Sequence, residues 1–405
     1  MIAATNLTMS MQRPLLMARD VWQGLTLQQR RMAGGALGVL LIGVLVTTLS
    51  SPSQSPSVSV KVAPSPHRVV IAMPPRPSSK GVASAEATPA TPMTPAPDLS
   101  AVNPSNANDL PNLLRGWQTT TITLPPAPIS DLQVATQDGL LPRVAPDGRA
   151  PWRVYGRPAM PEGRVMPAGV PMIAVLMVDM GLSQRLTGPA LEQLPGHVSV
   201  AFSVYSPNLD QQIANARRIG ATGGHEVFLD IPSEPDNYPA TDPGPDALLN
   251  RLSAEQNLQR LRPMLSKAPS VAGLTTQGGR FASNGSSLGP VLQELNLRGL
   301  GWVDATPTPA GQTNTTQALA NTIGNPAINA DVWADTVLSP SAINAQLTTA
   351  VQIAKQTGRA LIIARPYPLT VKMLNDFFTT LPGETVALVP VTALINRHGA
   401  QNQGR

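Results

Sequence analysis

From residue 172 onward the chain carries eight short apolar runs, and their character limits the fold more than any other feature. The runs are "MIAVLMVD" (Met172–Asp179), "VSVAFSV" (Val198–Val204), "HEVFLDI" (His225–Ile231), "SVAGLTT" (Ser270–Thr276), "GWVDA" (Gly301–Ala305), "AINADVW" (Ala327–Trp333), "ALIIA" (Ala360–Ala364) and "TVALVP" (Thr385–Pro390). They are continuous rather than alternating, which is the pattern of parallel strands covered on both faces and not of strands with one face in water. Segments of helical period lie between them, one opening with the capping box Ser253-Ala254-Glu255-Gln256. Eight such units in about 220 residues predict a closed or nearly closed β/α barrel, with an open doubly wound sheet as the weaker alternative.

Composition agrees with a single sizeable folding unit. Aromatic residues make up 3% of the 405 and charged residues 13%, against 42% hydrophobic, so the core has to be built from Ala, Val, Leu and Ile. The chain has no cysteine, which excludes disulfides and thiolate metal sites. Its net charge of +5 is spread without Lys/Arg blocks or interleaved aromatics, and no nucleic-acid partner is expected.

The first two fifths read differently. Residues 32–50, "MAGGALGVLLIGVLVTTLS", are uncharged and long enough to span about 30 Å of hydrocarbon as one helix. Arg13, Arg19, Arg30 and Arg31 precede the span and no charge follows it until Lys61, so the positive-inside bias puts residues 1–31 in the cytoplasm. The expected location is therefore a single pass through a bacterial inner membrane with the C-terminal domain in the periplasm. A cleaved signal peptide is the rival reading, against which stand the long polar leader and the lack of a small-residue cleavage site. Residues 51–169 are rich in Pro, Ser and Ala and are expected to be a largely disordered linker, with "PWRVYGRPAMPEG" (Pro151–Gly163) its part most suited to docking. The folded domain is placed at 170–396 and a tail at 397–405.

Reactive groups of a β/α barrel stand where strands end. Asp179 ends the first run, Asp230 stands at the end of the third, Gln277 follows the fourth, Asp304 ends the fifth and Arg365 follows the seventh. A strand-end acid can also be a mere cap for the next turn.

The segments "VDMGLS", "GHEVFLDIPSEP", "GLTTQGGRF", "VLQELNLRGLGWVDATPTP" and "ARPYP" make the chain resemble the divergent polysaccharide deacetylase family over about 170–394. That family is similar to metal-dependent carbohydrate deacetylases, which implies a distorted β/α barrel of seven to eight strands and a site of one Asp and two His around a divalent metal. Against that pattern this chain keeps Asp179, the base position, but has Met180 where a second aspartate binds metal. Asp230 replaces the histidine before the motif that ends in Glu234 and Pro235, Gln277 replaces another with an apparent one-residue deletion, and Arg365 replaces the one before "PYP". Arg280 and Tyr367 belong to the retained frame.

Of the four histidines, His67 falls in the tether, His398 in the tail and His197 before the second run, all expected to be solvated. His225 begins the run that holds Asp230, about 16 Å from it at the opposite rim, and is expected in a polar turn. Carboxylates with Gln277 could hold a hard ion through oxygen, but Arg365 would repel it and can itself neutralise the acids. No metal or cofactor is therefore expected. The sequence points to a membrane-anchored, catalytically degenerate protein that binds a glycan or a cell-envelope protein through the old cleft. An active hydrolase with a rebuilt site and an envelope scaffold are the alternatives.

Overall fold

The structure, a computed structural model, describes residues 109–307 and 314–395. The expected membrane span, His67, His398 and residues 51–108 of the expected linker lie outside the described residues.

Helix α1 (Leu110–Thr119) opens the described part. The antiparallel hairpin of β1 (Gln133–Thr136) and β2 (Gly139–Pro142) follows, then the short helix α2 (Pro151–Val154). Strand and helix then alternate: β3 (Met172–Met180), α3 (Gln184–Gln193), β4 (Ser199–Ser203), α4 (Leu209–Ala216), β5 (Val227–Asp230) and α5 (Ala254–Ser266). The alternation continues through β6 (Gly273–Thr276), α6 (Gly279–Ala282), α7 (Gly285–Arg298), β7 (Gly301–Asp304) and α8 (Thr315–Ile323). The last elements are β8 (Ala327–Asn329), β9 (Val332–Trp333), α9 (Pro340–Thr357), β10 (Arg359–Ala364), α10 (Pro368–Thr380) and β11 (Ala387–Leu388).

Strands β3 to β11 form one parallel sheet in the order β8-β7-β6-β5-β4-β3-β10-β9, with β11 also paired to β3. The sheet curls strongly. Its two edge strands, β8 and β9, are separated in the chain only by Ala330 and Asp331, so one short segment bonds β7 with its first half and β10 with its second. The single run "AINADVW" is thus two strands with different neighbours.

Burial alternates along β3 as a sheet covered on both faces requires. Ile173, Val175 and Met177 join the cluster that packs against the helices, while Ala174, Leu176 and Val178 join the cluster inside the curl. The capping box at Ser253 is formed: its Oγ accepts from the Gln256 N–H at 3.2 Å, and Gln256 Oε1 accepts the Ser253 N–H at 2.9 Å.

Part of the segment that composition assigned to a linker is folded. Leu114, Leu132, Trp152 and Tyr155, all within the 51–169 linker assignment, are buried in the cluster inside the curl. Few large side chains suffice because the strands already provide an apolar surface. Each buried Leu of this kind contributes about 1.5–3 kcal/mol. Arg217 fixes this segment by donating from Nη1 to the Tyr155 carbonyl at 2.8 Å.

Candidate functional site

β3 does not end as a regular strand. Its pairing with β4 shifts register between Met177 and Met180, and within that bulge Asp179 has φ 59°, the left-handed region. Bulges beside functional sites re-aim a side chain, and a non-glycine residue in this conformation stores roughly 1–2 kcal/mol. Gly181 then turns the chain at φ +85°, where a Cβ would collide with Ser206 and Phe202.

The re-aimed carboxylate joins groups from three other strand ends. Gln277, just beyond β6, donates from Nε2 to Asp179 Oδ1 and to Asp230 Oδ2, both at 2.8 Å. Arg365, just beyond β10, donates from Nε to Asp179 Oδ2 at 2.9 Å, and from Nη2 to Gln277 Oε1 at 3.4 Å. This pattern fixes the orientation of the Gln277 amide, since only its nitrogen can face two carboxylates and only its oxygen can face a guanidinium.

Asp230 is buried at the end of β5, and its pKa is pushed up to about 7, first by burial and then by the charge of Asp179. The Gln277 amide and the more distant Arg365 charge act in the opposite direction but do not cancel this.

A residue that sequence reasoning missed completes the group. Asp335 stands two residues beyond β9, next to β10 in the sheet, with a fully buried side chain. Its Oδ2 accepts the Arg365 backbone N–H at 2.8 Å and the Thr370 hydroxyl at 3.0 Å, and its Oδ1 lies 3.8 Å from Arg365 Nη1. Trp333 covers the guanidinium, with Arg365 Cζ 4.3 Å from the ring centroid, and is itself anchored by Nε1 donating to the Ala305 carbonyl at 2.7 Å. The acid that follows the "AINADVW" run was the available signal.

The other expected residues do not join this centre. Asp304 accepts from the Thr306 N–H, the Thr316 hydroxyl and the Asn329 amide at 2.9–3.0 Å. Those bonds tie β7 to β8 and α8; burial raises its pKa. Glu234 is buried and spends its oxygens on the Asn250 N–H at 2.7 Å and on Arg280 at 3.2 Å, so it and Arg280 brace the loop after β5. Tyr367 is the N-cap residue of α10, half-buried, and makes no side-chain hydrogen bond to the Asp179 group.

Of the two described histidines, one differs from the sequence reading. His197 is fully buried rather than solvated, and burial followed by the Arg157 and His225 charges pushes its pKa down to about 3. His225 is also buried, with Nδ1 2.7 Å from the Val198 carbonyl and Nε2 3.0 Å from the Leu191 carbonyl. It precedes the strand whose far end carries Asp230, and so stands apart from the rim acids.

A divalent metal, which the resemblance implies, does not fit these donors. Among the described residues no set of three or more His, Asp or Glu side chains is arranged to hold one. Both oxygens of Asp179 are engaged by donors, the Gln277 amide turns its N–H groups toward the acids, and a guanidinium lies where a cation would be repelled.

The divergent polysaccharide deacetylase family profile matches residues 175–395. The chain belongs to that family. The curated uncharacterized protein YibQ of Escherichia coli K12 is similar to it, at 24% identity over 225 residues, covering 55% of this chain and 67% of YibQ. Among solved structures, the uncharacterized protein ATU2773 of Agrobacterium tumefaciens C58 superposes with a TM-score of 0.56 at 30% identity, covering 63% of this chain and 98% of that one. The family domain is therefore the curled sheet itself, and the Asp179 group stands on its C-terminal rim.

Proposed function

We propose that this chain is a glycan-binding member of the family, built on a distorted β/α barrel, that has lost metal-dependent deacetylation. The observation that carries the reading is the Arg365–Asp179 ion pair at 2.9 Å, bridged by Gln277. An internal cation takes the place of the metal, and the histidine positions of the family pattern carry Asp230, Gln277 and Arg365. Deacetylation by this family's chemistry needs a Lewis acid to polarise the carbonyl and activate water, and these side chains offer a ligand hydrogen-bonding groups instead.

The polar rim, with Trp333 covering the Arg365 guanidinium, suits the hydroxyl and amide groups of an oligosaccharide. The charge asymmetry around residues 32–50 supports anchoring at the bacterial inner membrane with the domain in the periplasm. Fractionation of cells carrying the full chain, with protease added to intact and permeabilised spheroplasts, tests that placement: digestion only after permeabilisation contradicts it.

The functional test is calorimetry of the full chain with a tetramer of N-acetylglucosamine, together with an assay for released acetate. Saturable binding without acetate, with or without added zinc, supports the reading. Acetate release that depends on metal would refute it. A second reading, a hydrolase with a rebuilt site, is favoured by Asp230, whose raised pKa lets it hold a proton close to an Asp179 paired with a cation. Metal-independent acetate release, abolished by Asp230→Asn, would select it.

A further inference from the structure

We propose that Asp335 is a positioning residue that sets the charge class of ligand the cleft accepts, favouring uncharged, oxygen-rich sugars over acidic ones, and that Trp333 holds the Arg365 guanidinium in place for both. The inference rests on the glycan-binding reading and deepens it.

A guanidinium has five N–H groups in a rigid plane. Among the described residues, the Arg365 side chain makes hydrogen bonds only through Nε to Asp179 and Nη2 to Gln277. Its contact with Asp335 at 3.8 Å is an ion pair beyond hydrogen-bond range. The remaining N–H groups belong to a side chain that is 28% exposed, so they are available to acceptor oxygens of a ligand.

Asp335 fixes where those donors point. It holds the Arg365 backbone N–H through Oδ2 and faces Nη1 through Oδ1, while Trp333 closes one face of the guanidinium plane. Stacking on an aromatic face and a carboxylate at the edge leave the plane little rotational freedom. Asp335 also decides the charge balance. The Arg365 cation already faces two carboxylates, Asp179 and Asp335. A third carboxylate brought by an acidic sugar would meet net repulsion, whereas hydroxyl and amide oxygens would not.

The experiment measures affinities of the full chain at constant pH and salt for the N-acetylglucosamine tetramer and for tetragalacturonate, in wild type, Asp335→Asn and Trp333→Leu. Wild type should prefer the neutral tetramer by at least ~10-fold. Asp335→Asn should narrow that preference by roughly 10-fold, because one of the two offsetting charges is gone. Trp333→Leu should weaken neutral binding several-fold while leaving the preference unchanged, since no charge is altered.

An Asp335→Asn protein that melts within a few degrees of wild type and keeps the same preference would overturn the inference while leaving glycan binding intact. Equal losses for both sugars would do the same, as a purely structural role predicts. Wild type binding neither sugar would sink the glycan reading and this inference with it. If Asp335→Asn does not fold, Arg365→Lys carries the test: it keeps the cation and removes the stacked plane, so neutral affinity should fall at least 10-fold. Undiminished affinity there would overturn the inference.

Discussion

Arg365 Nε lies 2.9 Å from Asp179 Oδ2, although 186 residues separate the two along the chain. Asp179 reaches this position from a left-handed backbone inside a bulge, and Arg365 from the first residue past β10, where its N–H is held by Asp335. Both side chains are about 30% exposed, so solvent screens the pair and its removal should cost less than that of a deeply buried one. Arg365→Met is expected to lower stability by ~1–2 kcal/mol, read as a lower urea midpoint with unchanged slope. A midpoint equal to wild type would mean that the pair contributes nothing.

The strain at Asp179 makes a separate prediction. Asparagine tolerates φ near +60° and a β-branched residue does not. Asp179→Val should therefore be less stable than Asp179→Asn by ~1–2 kcal/mol, even though both remove the charge. Thermal melts of the two variants side by side check this, and equal melting temperatures would show that the left-handed backbone relaxes without cost.

The raised pKa of Asp230 fixes a sign for pH dependence. A carboxyl near 7 when folded and near 3.8 when unfolded binds more protons in the native state at intermediate pH. Its favourable contribution is fully present below the unfolded value and is lost as pH rises through the folded one. Asp304, Asp331 and Asp335 are shifted in the same direction by burial, so wild-type stability alone does not isolate Asp230. The comparison does: Asp230→Asn should be flatter than wild type between about pH 4 and 7. Parallel curves would contradict the assignment.

Away from the rim, Glu226 is fully buried and accepts from the Ser199 hydroxyl at 2.6 Å, the Thr392 hydroxyl at 2.6 Å, the Thr392 N–H at 3.1 Å and the Arg157 N–H at 3.0 Å. It ties β4, the approach to β3 and the C-terminal segment together. Glu226→Ala should cost ~3–5 kcal/mol by leaving these donors unpaired, while ligand affinity of the folded fraction stays unchanged. A stable Glu226→Ala protein would show that water replaces the carboxylate at little cost.

The parallel sheet was legible because its strands are covered on both faces, so every run stayed apolar along its length. The strand-end rule found Asp179, Asp230, Gln277 and Arg365, but it could not tell them from Asp304, whose oxygens are consumed locally; the family motif likewise could not show that Glu234 is spent on its own loop. It passed over Asp335 because "AINADVW" was read as one strand, whereas the segment changes partners at Ala330 and Asp331. His197 was misjudged for a different reason: residue type was taken for exposure, while its side chain is fully buried. The burial of Trp152 and Tyr155 was hidden by a proline-rich composition, since these side chains need only a preformed apolar surface to bury against.

The central claim is that Arg365 fills the place of a metal, and zinc titration of the purified protein by calorimetry tests it most directly. The account predicts no stoichiometric binding and no rise in melting temperature with zinc in excess, for wild type and for Asp179→Asn alike. One zinc bound per chain, with affinity abolished by Asp179→Asn or Asp230→Asn, would contradict it.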